Sequence, residues 1–220
     1  MTAVADVLGA LEVVRDPELD QSLVELGFVS AVELDGEAVV VRLRLPTYFC
    51  APNFAFLMVG DARAALAALP GVERARVELE DHFTADEINA AVRRDATFVD
   101  AFPDHASGEL DELRTLFQRK ALMARQGRVC ERLPADAIAA MRLGELTGAD
   151  ADRCRELRRA LGIDAGPDAP AFVTGEGVPI SAADVPRFLR LARLIRTSLD
   201  GNAGLCRDLL KTRYDLEAAA

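Results

Sequence analysis

The 220-residue sequence predicts an α+β N-terminal domain followed by a mainly α-helical C-terminal domain. Three observations lead there. Period-two alternation in Ala38 to Leu45 puts Val39, Val41, Leu43 and Leu45 on one face and Val40, Arg42 and Arg44 on the other, as in a strand covered on one side. Long alanine- and leucine-rich segments with helical spacing dominate everything after residue 108. Charge divides the same way: residues 1–108 carry 8 Lys+Arg against 19 Asp+Glu, whereas residues 109–220 carry 18 against 17.

In chain order, Thr2 caps a first helix with Val4, Val7, Leu8, Leu11 and Val14 on one face, and Asp16-Pro17 ends it because proline disfavours helical geometry in the residue before it. Leu23 to Gly27 makes an apolar turn closed by glycine. Phe28 to Leu34 and Ala38 to Leu45 read as strands joined at Asp35-Gly36. Pro52 suits the first position of a helix running from about Asn53 to Leu69, which Pro70-Gly71 stops. Val72 to Leu79 is a third strand, with Arg74 and Arg76 on one side and Ala75, Val77 and Leu79 on the other. These elements make a domain over residues 1–82. Residues 83–108 hold a short helix opened by Thr84-Ala85-Asp86-Glu87 and a linker from Asp100 to Gly108. Residues 109–220 form the helical domain, with helices over 109–125, 134–143, 150–161, 182–199 and 205–214. A Gly- and Pro-rich stretch at 162–181 places Ala171-Phe172-Val173 against Val178-Pro179-Ile180 as a small hairpin.

Composition excludes several function classes. A net charge of −10 disfavours binding to nucleic acid, which needs a positive field. The apolar stretch from Val4 to Val14 is broken by Asp6 and Glu12, lacks a basic flank, and is neither a signal peptide nor a membrane span, so a cytoplasmic location is expected. Cys50, Cys130, Cys154 and Cys206 form no C-x-x-C pair and no disulfide framework, and the last three sit in apolar helical contexts that suit buried structural thiols. No nucleophile elbow or Walker-type loop is present, and two histidines make a catalytic triad improbable.

Cys50 is the residue to explain. It lies in Leu45-Pro46-Thr47-Tyr48-Phe49-Cys50-Ala51-Pro52, where a strand gives way to a helix. Free N–H groups and the positive end of the helix dipole gather at such a junction and favour the thiolate, the form that ligates metal. Asp16 and Glu18, beside Pro17, and Glu25, in the next turn, offer oxygen ligands or hydrogen-bond acceptors if the first loop packs beside the junction. They read equally as solvated or capping carboxylates. Thr47 reads as a turn residue, His82 as the better ligand candidate of the two histidines, and His105 as a surface residue of the linker.

Taken together, Asp16-Pro17-Glu18, Val24-Glu25-Leu26-Gly27, Thr47, Cys50, Pro52 and Leu69-Pro70-Gly71-Val72 resemble, in order and spacing, the SufT/PaaD-like metal–sulfur cluster assembly domain over roughly residues 4–80. The sequence departs from the family's Thr-Pro-x-Cys-Pro junction, since Pro46 precedes Thr47 and Ala51 separates Cys50 from Pro52, and Asp81-His82-Phe83 replaces the tryptophan-proline segment after the last strand. The resemblance implies a non-enzymatic maturation factor that assembles or delivers an iron–sulfur or other iron centre, with Cys50 as a transient metal ligand. One thiolate is too few for a stable cluster, which suits a carrier. Expected partners are cluster-assembly proteins or a client metalloenzyme, with a homodimer as one way to complete the ligand set. The helical extension looks like those of proteins associated with di-iron monooxygenases. The alternative is a chaperone or scaffold with no metal role, in which Cys50 is a packed junction residue.

Overall fold

A computed structural model describes residues 2–103, 110–131 and 133–216; His105 and most of the expected linker lie outside them. The chain divides into two compact units, one formed by residues 1–111 with 202–220 and the other by residues 112–201.

The first unit follows the predicted order. Helix α1 (Val4–Leu11) leads to strands β1 (Val29–Asp35) and β2 (Ala38–Arg44), helix α2 (Pro52–Ala67) and strand β3 (Arg74–Glu80). β1 and β2 pair antiparallel through the two-residue loop Gly36-Glu37. Gly36 adopts φ 59°, a conformation that glycine enters without the penalty a Cβ brings. β2 and β3 pair parallel, which requires the crossover that α2 supplies, so β2 is central. Its alternation reads out as expected: Val39, Val41 and Leu43 are buried with Val77 and Leu79 of β3, under Val7 and Leu11 of α1 and Ala55, Met58, Val59, Ala62 and Leu66 of α2. Each buried aliphatic of this kind contributes roughly 2 kcal/mol. On the other face, Arg42 pairs with Glu33, Glu78 and Glu80.

Helices α3 (Ala85–Arg93) and α4 (Phe98–Ala101) follow. The second is a single turn that the sequence reading passed over, although Thr97 and Asp100 form a reciprocal capping box around it.

The second unit is helical. It contains α5 (Leu110–Cys130), which begins in the first unit's last residues and runs one turn beyond the expected end, then α6 (Ala135–Ile138), a 3-10 turn at Leu143–Glu145, α7 (Ala149–Ala160) and the first part of α8 (Val185–Tyr214). The helix expected over 134–143 is only one turn long. Beyond it the N–H groups of Leu143 and Gly144 bond to the carbonyls of Ala169 and Pro167, so tertiary partners replace the helical ladder. The small hairpin is present as a bridge between Val173 and Pro179. The side chain of the buried Gln126 accepts from the N–H of Val173 and donates to its carbonyl, extending that bridge as a neighbouring strand would.

Two further expectations are corrected. The residue at the N-cap of α1 is Ala3, not Thr2, and the Asp6 side chain accepts from its N–H. Helices predicted over 182–199 and 205–214 are a single helix, α8, continuous through Asp200-Gly201-Asn202. Glycine in a helix costs about 1 kcal/mol relative to alanine, and burial of Leu199, Ala203 and Leu210 outweighs it. Residues 202–214 of this helix belong to the first unit.

Candidate functional site at the end of the sheet

Four segments of the first unit meet beyond the C-terminal ends of β2 and β3: the loop after α1, the β2–α2 junction, the β3–α3 turn and residues 202–214 of α8. The last of these ties the others together. Arg213 donates to the carbonyls of Leu45, just past β2, and Asp81, just past β3. Tyr214 lies under the guanidinium groups of Arg44 and Arg213, 4.8 and 5.0 Å from its ring centroid. Arg207 donates to the Gln21 side chain, and Leu210 lies over Gly27. Gly27 has φ 75°, a conformation that favours glycine at the end of this turn.

Cys50 stands two residues before the first helical residue of α2, with Pro52 at the helix start and Ala51 as an N-cap that offers no side-chain acceptor. It is half-buried. The Thr47 hydroxyl lies 3.2 Å from its sulfur. Behind it is His82, 5 % exposed. The Nε2 of His82 is 2.7 Å from the Cys50 carbonyl. A carbonyl only accepts, so Nε2 carries the proton and donates. Nδ1 then accepts from the backbone N–H and the hydroxyl of Thr84, at 3.3 and 3.1 Å. Both ring nitrogens are thus engaged, Nε2 in holding the Cys50 carbonyl and Nδ1 in holding Thr84. Burial, the largest influence, pushes the imidazole below its ordinary value of 6.5, which keeps the neutral ring this arrangement requires. The stability drawn from that ring is therefore present above pH 6.5 and is lost on acidification. Replacing His82 with alanine is expected to destabilise the unit by about 2–4 kcal/mol, through the vacated volume and an orphaned carbonyl. Urea unfolding followed by circular dichroism measures it.

Asp16 is buried. Its Oδ1 accepts from the N–H groups of Glu18 and Leu19, at 2.8 and 2.9 Å, and this shapes the turn around Pro17. Burial pushes its carboxyl up to about 6, against the pull of those two N–H groups. Glu18 is half-buried on the same turn. Burial, with smaller contributions from Asp16, Cys50 and Glu18, pushes the Cys206 thiol up to about 11. Glu25 does not join them. It is exposed on the turn that Ser22 caps through its backbone N–H, and among the described residues its carboxylate makes no hydrogen bond to the junction. Cys130 and Cys154 are buried in the second unit, and burial pushes the Cys130 thiol up to about 12.

Cys206, expected as a structural thiol in an apolar helix, is half-buried and packs against the core of the first unit. One feature escaped the sequence reading. Tyr48, Phe49 and Phe83 form an exposed aromatic cluster next to Cys50, with ring centroids 5.0 to 6.3 Å apart and Phe49 76 % exposed. Three aromatic residues flanking two strand ends were a visible signal for it.

Among the described residues, no three His, Cys, Asp or Glu side chains are gathered closely enough to hold a metal ion. No helix among them is long and apolar enough to cross a membrane.

Comparison with known proteins places the N-terminal region. Residues 4–79 match the family described as iron-sulfur cluster assembly protein. The chain is 34% identical over 94 residues to the uncharacterized protein MJ1129 of Methanocaldococcus jannaschii, which covers 42% of this chain and 97% of that protein. It is 35% identical over 75 residues to the Fe-S protein maturation auxiliary factor YitW of Bacillus subtilis, covering 34% of this chain and 72% of that one. The iron-sulfur cluster carrier protein of Deinococcus radiodurans is 38% identical over 72 residues, 33% of this chain, and the matched region spans only 20% of the carrier's length. No solved structure matches. With its Asp-Pro-Glu turn, its hairpin and its cysteine junction in the order described, the chain belongs through its N-terminal region to the SufT/PaaD-like iron–sulfur cluster assembly family.

Proposed function

We propose that this protein is a maturation factor that takes up an iron–sulfur centre, or the iron for one, and delivers it to a client metalloenzyme, with Cys50 as the transient ligand. The observation that carries this reading is the mounting of Cys50. It is half-buried at a rim, its backbone is fixed by a neutral histidine, a hydroxyl is 3.2 Å from its sulfur, and N–H groups of α2 begin immediately after it. A packed structural cysteine has no use for such support. The ligand set around it is incomplete, so a bound centre keeps open positions for ligands from a donor or acceptor protein. That serves transfer, not storage, and no small substrate is turned over. The family membership and the relatives named for cluster carriage and Fe-S protein maturation support the same reading.

The exposed aromatic cluster of Tyr48, Phe49 and Phe83 gives a partner protein an apolar platform beside the thiol. The helical unit of residues 112–201 supplies client selection. Its resemblance to proteins associated with di-iron monooxygenases makes such an enzyme the client to try first, in the cytoplasm, and a homodimer is one way to complete the ligand set. Phe49→Ala is expected to leave the unfolding midpoint within about 0.5 kcal/mol of wild type, as surface changes do, and to slow transfer to an acceptor at least tenfold by stopped-flow absorbance.

Anaerobic reconstitution with ferrous iron and sulfide tests the proposal. Wild type is expected to take up iron and sulfide that a chelator removes within minutes, and Cys50→Ser to retain less than a tenth of it. Equal loading of the two proteins refutes the role of Cys50. The same aromatic cluster would also serve a metal-free scaffold, and that reading predicts no uptake by either protein and unaltered partner binding by Cys50→Ser.

A further inference from the structure

The helical unit carries an open trough that the site at Cys50 does not use. It lies between α5 and the first part of α8, has a volume of about 530 Å³, and is lined only by residues of this unit. Each helix turns one face to it. Leu116, Lys120 and Met123 of α5 follow at i, i+4 and i+7, and Arg187, Leu191 and Ile195 of α8 at i, i+4 and i+8. Its floor is apolar and buried, formed by Met123, Ile180 and Phe188. Its rim is also apolar yet stands in water: Leu116 is 48 % exposed, Leu191 46 % and Val178 58 %. The wall that carries Val178 is a turn fixed at both ends. The Thr174 hydroxyl accepts from the N–H groups of Glu176 and Val178, at 3.2 and 3.3 Å, and Gly175 lacks the Cβ that would stand 3.1 Å from that of Arg119. Charge in the lining is uneven. Its acids are engaged, Glu176 with Arg119 at 3.9 Å and Asp184 as acceptor from the Ser181 hydroxyl at 2.5 Å. Lys120 and Arg187 have no carboxylate partner among the described residues, and the Lys120 ammonium lies 4.5 Å from the Phe117 ring centroid instead.

We propose that this trough docks an acidic amphipathic helix of the client protein. The inference rests on the reading of the helical unit as the client selector, and it names what is selected. Two helical faces side by side over an apolar floor leave the groove into which a third helix lays its own apolar face. Side chains spaced i, i+3 or i+4, and i+7 on the incoming helix seat on Met123, Ile180 and Phe188, and the docked helix covers the exposed rim of Leu116, Val178 and Leu191. The open rim favours such a segment over a small molecule, which a cavity of this size holds by enclosing most of its surface. The unmatched charges of Lys120 and Arg187 set the sign of the partner: carboxylates flanking its apolar stripe are attracted, and a basic segment is turned away. The docking surface lies in a different unit from Cys50, so recognition of the client and handling of the metal centre are separate tasks of the chain.

Random peptides of about 16 residues, four to five helical turns, displayed on phage and panned on the full-length protein test this. Soluble Leu191→Asp protein is the competitor that removes peptides bound elsewhere. Enriched peptides are then synthesised with a fluorophore and titrated by anisotropy against wild type, Leu191→Asp and the double variant Lys120→Glu/Arg187→Glu. All three substituted side chains are exposed, and circular dichroism melts check the fold. The expected peptides are net negative with apolar residues at i, i+3 or i+4, and i+7, and bind each variant at least tenfold more weakly than wild type, the scale of losing one central anchor. Peptides that are basic or lack the helical spacing, affinity that either variant retains, or no enrichment at all overturns the proposal. A wild-type dimer in sedimentation equilibrium that Leu191→Asp abolishes assigns the trough to a second copy of this chain and overturns it as well. Iron and sulfide loading of the same proteins is measured in parallel. Intact loading with failed peptide binding sinks the docking proposal alone, and peptide binding as expected with no loading supports the docking proposal and sinks only the cluster-handling reading.

Discussion

Replacing Arg158 with alanine is expected to destabilise the helical unit by about 3–5 kcal/mol, through the vacated volume and three carbonyls left without their donor. The side chain is fully buried, and its guanidinium donates to three backbone carbonyls, those of Asp164 at 3.2 Å, Pro170 at 2.9 Å and Ala171 at 2.7 Å. Those carbonyls belong to the Gly- and Pro-rich stretch between α7 and α8, which has little regular structure to satisfy its own polar groups. One arginine on α7 does so instead. Its planar fork reaches three acceptors that a lysine cannot span, so Arg158→Lys is expected to recover only a minor part of the loss. The chain has two compact units and a single midpoint can mislead, so hydrogen exchange is the measurement of choice. Lost protection concentrated in residues 149–180 is the expected result, and unaltered protection there would show that the three carbonyls find other partners.

Asp16→Asn is expected to act in the opposite direction, stabilising the protein at pH 7 by up to about 3 kcal/mol. The folded-state carboxyl titrates at about 6, against an ordinary 3.8, and each unit of difference is worth 1.36 kcal/mol. A raised value means that the folded state favours the protonated form. The contribution is fully present below pH 3.8, fades as pH rises toward 6, and is absent at pH 7, where the buried group is ionised. Asparagine is neutral at every pH and keeps an oxygen for the N–H groups of Glu18 and Leu19. The difference between the two proteins should therefore be large at pH 7 to 8 and vanish near pH 4. Urea midpoints across that range measure it. A difference independent of pH would assign the effect to packing. A carboxylate kept buried against the stability of the fold is a candidate for a working group.

Much of the first unit was legible because its signals are local. The alternation of Val39, Val41 and Leu43 against Arg42 and Arg44, the Asp35-Gly36 turn and the Pro70-Gly71 stop each place an element to within a residue or two. The position of Cys50 at a helix start followed from Pro52 alone. What was not legible depends on distant partners. The run from Asp200 to Gly204 carries two glycines and an asparagine, a pattern that stops helices elsewhere; here the burial of Leu199, Ala203 and Leu210 carries the helix through. An amphipathic face reads the same whichever core it meets, so the sequence could not show that residues 202–214 cover the sheet end, nor that Cys206 differs from Cys130 and Cys154. Burial of Asp16 was hidden for the same reason: a carboxylate beside proline looks solvated until the helix that covers its loop is known. The role of His82 lies between these cases. Its place just past β3 was readable, and the commitment of both ring nitrogens to backbone support was not.

The account stands most directly on transfer. Wild-type protein loaded anaerobically with radioactive iron and sulfide should pass most of its label to an apo iron–sulfur acceptor within minutes and leave a cluster spectrum on the acceptor. Cys50→Ser should pass no more than iron and sulfide free in solution do. Equal transfer by the two proteins, or label that stays on the wild-type chain in the presence of excess acceptor, would contradict the claim that this chain is a carrier working through Cys50.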